Sequence, residues 1–189
     1  MAAEVGNGLV RKAIFAALLA LFAAPVQAQT VAGWETFESD GEMCGVGSDY
    51  EGDGETRLIV TINLEDRVAL LASNYNWSAK EGEKYEGIEY ILNGSSFGGG
   101  VAVGIETDLR KGFVTTFPVT FLNDFAAGTS LHIYKGDKAI DRLNLKGSGA
   151  AVAHLRRCIA RLKAVRAAEN REKAKFADIP KDPFAEEGK

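Results

Sequence analysis

The sequence predicts a mainly β protein, an antiparallel β-sandwich or barrel with a short helix near residues 118–127 and a long C-terminal helix from about residue 148. Three observations lead there. From Trp34 to about residue 105, short β-branched runs alternate with turn residues at close spacing. Beyond Ser148, apolar residues recur at helical spacing for several turns. Only two cysteines, Cys44 and Cys158, are present, one at each end of this pattern.

The first 28 residues stand apart from the domain. Arg11 and Lys12 precede an apolar run from Ala13 to Pro25, and Val26-Gln27-Ala28 places small residues at the −3 and −1 positions of a cleavage site. A basic start, a short apolar core and small residues before the cut are what a signal peptidase reads. The run is too short for the ~20 helical residues that span a bilayer. Residues 1–28 are therefore expected to be a signal peptide, the mature chain to begin at Gln29, and the protein to be periplasmic or secreted. No transmembrane segment is expected after processing. The cut leaves 161 residues, a normal size for one domain, and loss of Glu4, Arg11 and Lys12 moves the net charge from −4 to −5.

Within residues 29–176, a single β-rich domain is expected, with six to eight strands. Arg57–Leu64 and Val68–Ser73 flank Glu65-Asp66 and read as a hairpin. Gly87–Leu92 and the glycine-rich Phe97–Ile105 read as further strands. Phe113, Phe117, Phe121 and Phe125 recur every fourth residue, which suits either a strand or a helix. Val114, Thr115 and Thr116 favour a strand up to Phe117, whereas Pro118 suits the start of a helix and Ala126-Ala127-Gly128 its end. Phe121, Leu122 and Phe125 then face the core. Thr129–Tyr134 and Ala139–Leu145 flank Lys135-Gly136-Asp137-Lys138, another hairpin, with His132 on a strand face.

After Gly147, Ser148 is placed to cap the last helix. Ala151, Leu155, Cys158, Leu162 and Val165 form one apolar stripe, so Cys158 points inward. In an oxidising compartment, Cys44 and Cys158 pair most simply as one disulfide; two buried thiols are the alternative. Residues 177–189 carry two prolines and scattered charges and read as a disordered tail.

Charge is unevenly placed. Eight acidic and no basic residues lie between Glu35 and Glu55, while Arg156–Lys175 holds eight basic residues against Glu169 and Glu172. A Cys44–Cys158 bond brings these segments together, so they offset one another. With a sequence pI of about 5.3 and an exported chain, nucleic-acid binding is not expected.

Motifs that carry chemistry are weak. Gly94-Ser95-Ser96-Phe97-Gly98 fits G-x-S-x-G with Ser96 as nucleophile, but that chemistry needs a strained strand-to-helix turn and a positioned histidine. Gly98-Gly99-Gly100 is a poor helix start, and a flexible hairpin turn explains the segment more simply. Asp49, Glu51, Asp53 and Gly54 match the first half of a calcium loop, yet its twelfth position is Val60 rather than a bidentate glutamate. Asn76-Trp77-Ser78 and Asn93-Gly94-Ser95 are glycosylation sequons by pattern. His132 and His154 have no ligand spacing with the cysteines. No catalytic residue, metal ligand or cofactor is assigned.

Phe125–Tyr134 followed by Ile140–Ala151, within residues 117–155, resembles the closing part of the invasion-associated locus B group of exported proteobacterial proteins. In that group a helix ending in a small residue and glycine precedes a strand pair, then a Leu-x-Gly turn into a last helix. The Trp34 start and the strand order follow along residues 33–160. This chain departs in lacking the group's extra internal cysteines and in placing Cys158 inside the last helix. The resemblance implies a periplasmic β-rich protein and carries over no catalytic residue. The expected function is a non-enzymatic envelope protein that binds or protects an unknown protein or envelope component. An inhibitor or immunity-type protein of an envelope enzyme, and a serine hydrolase using Ser96, are the alternatives. Activity of a Ser96→Ala variant separates the last from the others.

Overall fold

A computed structural model describes residues 29–98, 100–107 and 109–176. The expected signal peptide, residues 1–28, and the expected tail, residues 177–189, lie outside the described residues. Among the described residues, no helix is long and apolar enough to cross a membrane.

The chain is mainly β, in two antiparallel sheets. It opens with β1 (Gln29–Val31), β2 (Trp34–Ser39), β3 (Met43–Tyr50), β4 (Thr56–Asn63) and β5 (Val68–Asn74), a meander in which each strand pairs with the next. It continues through β6 (Lys84–Tyr85), β7 (Ile88–Leu92), β8 (Ser95–Phe97), β9 (Ala102–Glu106) and β10 (Lys111–Phe117). Helix α1 (Phe121–Ala127) leads to β11 (Ser130–Lys135) and β12 (Lys138–Asn144), and α2 (Ser148–Ala174) closes the fold. The large sheet has the order β1-β2-β3-β4-β5-β10-β9-β6, and the small one β12-β11-β7-β8.

Alternation explains the sandwich. In β4 the side chains of Thr56, Leu58, Val60 and Ile62 are buried, while those between them are half-buried. Val68, Leu70 and Ala72 do the same in β5. Ile88, Tyr90 and Leu92 of β7 and Leu131 and Ile133 of β11 face them from the small sheet, and all belong to one core. Two polar contacts bridge the sheets inside it. Tyr90 Oη and Thr115 Oγ1 are 2.6 Å apart, and the Thr56 hydroxyl donates to Asp141 Oδ2 at 2.5 Å.

The twelve strands among the described residues exceed the six to eight expected. The surplus is mainly β1, β6 and β8, each of two or three residues. Strands that short show no alternation and are indistinguishable from turns in sequence.

Pro118 precedes one turn before α1, whose Phe121, Leu122 and Phe125 are buried. The phenylalanines every four residues thus change element midway and still meet. Phe117 stacks on Phe121 with centroids 4.2 Å apart, and Phe121 lies edge-on to Phe97 at 5.2 Å.

Helix α2 runs 27 residues, about 40 Å. It packs on β3 and β4 through Ala151, Val152, Leu155, Cys158, Ile159 and Leu162, all buried. Val165, expected on the stripe, is 47% exposed, because the helix by then has run beyond the core. Ser148 makes no capping bond; its hydroxyl is buried and faces the Gly128 carbonyl at 3.5 Å. The cap position falls instead to Gly147, whose left-handed φ of 87° turns the chain into the helix.

Cys44 and Cys158 are at bonding distance, with sulfurs 2.01 Å and Cα atoms 6.1 Å apart. The inward phase of Cys158 on its helix meets the first buried position of β3. Basic residues of α2 then reach acidic residues of β2 and of two turns: Arg161 pairs with Glu38, Lys163 with Asp66 at 2.6 Å and Arg166 with Glu42 at 2.8 Å. These exposed pairs are each worth about 0–1 kcal/mol.

Candidate functional site

The residues with the strongest chemical signature in the sequence are not brought together. Asn93 and Gly94, with φ of 49° and 83°, make a two-residue hairpin turn between β7 and β8. Ser96 therefore sits on a strand, opposite Ile91, rather than on a strand-to-helix elbow. Ile91 is in turn opposite His132. Two strand spacings of ~4.8 Å put the Ser96 and His132 backbones about 10 Å apart, with Ile91 on the strand between them. Both side chains have other partners as well. The Ser96 hydroxyl donates to Glu89, and His132 Nε2 shares a hydrogen bond with Ser130 Oγ at 3.2 Å.

The acidic segment before β4 is also committed. Asp49 accepts from Arg57 and, at 2.8 Å, from Arg110. Asp53 Oδ1 accepts from Asn76 Nδ2 at 2.7 Å. Among the described residues, no three His, Cys, Asp or Glu side chains gather as a metal site.

A concave site forms between the ends of the two sheets, with a volume of about 430 Å³. That is the size of small-molecule sites, which commonly fall in the range of roughly 300–1,000 Å³. Its inner wall is apolar: Ile88 of β7, Phe113 of β10 and Ile140 of β12. Trp77, in the loop after β5, lies flat on Phe113 with centroids 5.4 Å apart and an interplanar angle of 5°. Tyr85 of β6 forms a second aromatic side. Its hydroxyl accepts from the Lys80 backbone N–H at 2.9 Å and donates to Glu83 Oε2 at 3.1 Å.

Lys135 and Lys138 stand over this wall. They are directly opposite one another where β11 meets β12, an arrangement in which like charges repel. The Lys135 ammonium is 5.2 Å from the Tyr85 ring centroid, a cation–π contact. Among the described residues, neither ammonium has a carboxylate oxygen within 4.0 Å, although nine other ion pairs form. The cleft thus combines an aromatic floor with two cations that lack a carboxylate partner among the described residues.

The loop carrying Trp77 is held from two sides. Buried Asn74 ends β5; its amide donates to Thr56 Oγ1 at 2.9 Å and to the Asp53 carbonyl at 3.0 Å, while its Oδ1 accepts from the Asn76 N–H at 2.8 Å. Farther along, Gly82 N–H donates to the Gly104 carbonyl at 2.9 Å, and Gly104 N–H donates to the Glu83 carbonyl at 2.7 Å. The approach is so close that a Cβ on Gly104 would stand 2.0 Å from the Lys80 carbonyl oxygen.

Sequence reasoning missed this site because six separate segments build it. Two local signals pointed towards it: a tryptophan in an otherwise polar loop, and lysines on both sides of a tight turn. No family model, curated protein or solved structure matches this chain.

Proposed function

We propose that this chain is an exported, non-enzymatic binding protein of the cell envelope that seats its ligand in the cleft between Trp77 and the β11–β12 hairpin. The observation carrying the proposal is the juxtaposition of a flat Trp77–Phe113 wall with Lys135 and Lys138, two cations that pair with no carboxylate among the described residues. An apolar hollow with a few convergent polar groups is the usual form of a small-molecule site. Binding is favoured over hydrolysis because Ser96 and His132 stand two strands apart on the small sheet, each hydrogen-bonded elsewhere. Export rests on the signal-peptide pattern of residues 1–28 and on the cysteine pair. The resemblance to the invasion-associated locus B group supports the same compartment.

The test is native mass spectrometry of the protein purified from the exported fraction, beside an Ala139→Trp variant that fills the cleft. The wild type is expected to start at Gln29 and to carry a non-covalent adduct that denaturation releases and the variant lacks. An adduct that survives Ala139→Trp unchanged, or ester or peptide turnover abolished by Ser96→Ala, contradicts the proposal.

A further inference from the structure

Building on the cleft as the binding site, we infer that its ligand is a small amphiphilic anion: an apolar ring or short acyl body ending in one carboxylate, sulfonate or phosphate group. Two features of the cleft set the two ends of such a molecule.

The body follows from the floor. Phe113, Ile88 and Ile140 offer no hydrogen bond, and Trp77 is held flat by its stack on Phe113. The polar groups at the mouth are few and partly spent, since Asn76 already donates its side-chain amide to Asp53. A polyhydroxylated ligand such as a sugar would leave most of its hydroxyls unpaired here, which costs affinity. A flat or flexible apolar body loses nothing on that floor and gains by leaving water.

The head follows from the lysines. Lys135 and Lys138 face each other across the hairpin and repel, and the fold supplies neither with a carboxylate partner among the described residues. The turn between them is fixed by the Gly136 N–H, which donates to the Gly87 carbonyl at 3.0 Å, so the pair is anchored beside the start of β7. A single anionic group placed between the two ammoniums relieves their repulsion and forms two charge-assisted hydrogen bonds. A cationic head meets repulsion there, and a neutral one leaves that repulsion in place.

Phenylbutyrate, phenylbutanol and phenylbutylamine share one apolar body and differ in the charge of the head. Each is titrated calorimetrically, at matched ionic strength and neutral pH, into the oxidised chain starting at Gln29, with tryptophan emission followed in parallel. Phenylbutyrate is expected to bind at least about tenfold more tightly than the alcohol, equivalent to ~1.4 kcal/mol, and the amine more weakly than either. In a Lys135→Gln/Lys138→Gln variant the acid and the alcohol should come within twofold of each other. Equal binding of acid and alcohol to the wild type, an acid preference that survives the double substitution, or no binding of phenylbutyrate at millimolar concentration overturns the anionic ligand. The Ala139→Trp variant separates this from failure of the cleft itself. If alcohol binding disappears there, the cleft stands and only the ligand class falls. If all three probes bind Ala139→Trp as they bind the wild type, the cleft reading falls as well.

Discussion

Thr56 on β4 donates its hydroxyl to Asp141 on β12 across the gap between the two sheets, and the same hydroxyl accepts from Asn74, which holds the loop bearing Trp77. One buried threonine therefore links the closure of the sandwich to the geometry of the cleft. Thr56→Val removes the donor to Asp141 and the acceptor for Asn74 in a single step. Leaving buried polar groups unpaired costs roughly 1–3 kcal/mol each, so a loss of about 2–4 kcal/mol is expected in urea denaturation. Asn74→Leu should cost a similar amount and also weaken phenylbutyrate binding, since the Asn76 N–H loses its acceptor. Unchanged midpoints for both variants contradict this link.

The pairing of Cys44 with Cys158 spans a sequence separation of 114 residues and ties α2 to β3. Closing a loop of that length stabilises by ~4–5 kcal/mol in the chain-entropy model. Cys158→Ser should thus lower stability by about 2–5 kcal/mol in oxidising buffer, and by much less against the reduced wild type. Thiol titration of the denatured, unreduced protein should find no free sulfhydryl. Two titratable thiols contradict the bond.

At Gly104 of β9 the loop between β5 and β6, which carries Trp77, packs closely against that strand. Gly104→Ala puts a methyl group into the Lys80 carbonyl, so the loop has to move away. A global loss of about 1–3 kcal/mol is expected for such overpacking. A shift in tryptophan emission should accompany it, because the same loop carries Trp77. Wild-type emission together with wild-type stability would show that the loop does not depend on this contact.

Stability should also fall in strong alkali. Burial pushes the Tyr50 phenol up to about 12, with Ser48 easing the shift and the charge of Asp141 adding to it. The Tyr90 phenol, buried against Thr115, is raised as well. A raised phenol keeps its proton in the folded chain after the unfolded chain has lost it. The unfolded state then binds fewer protons, and stability drops as pH rises from about 10 towards 12. Partial exposure of Tyr50 limits its share to at most about 2 kcal/mol. Ultraviolet titration of phenolate should show the last ionisations coinciding with loss of the near-ultraviolet circular dichroism signal. Complete ionisation of the tyrosines with that signal intact contradicts it.

The parts of this fold legible in the sequence are those whose signal is local. The β4–β5 hairpin declares itself by β-branched residues around Glu65-Asp66, and α2 by the spacing of Leu155, Cys158 and Leu162. The switch from strand to helix between Phe117 and Phe121 was readable because Pro118 lies between them. Ser148 misled as a cap because Gly147 supplies the turn through its own backbone. The cleft was not legible. Trp77, Tyr85, Phe113 and Lys135 are scattered over some sixty residues, and they meet only because β6, two residues long, joins the far edge of the large sheet. No periodicity encodes that pairing.

Amide chemical-shift mapping during a phenylbutyrate titration locates where ligands enter, which is placed here between Trp77 and the β11–β12 hairpin. The largest shifts are expected at Trp77, Tyr85, Phe113 and the backbone of Lys135–Ile140, with Ser96 and His132 unmoved. Shifts centred on Ser96 and His132, or on the outer face of the large sheet around Phe37, Ile59 and Leu71, with the cleft silent, would contradict it.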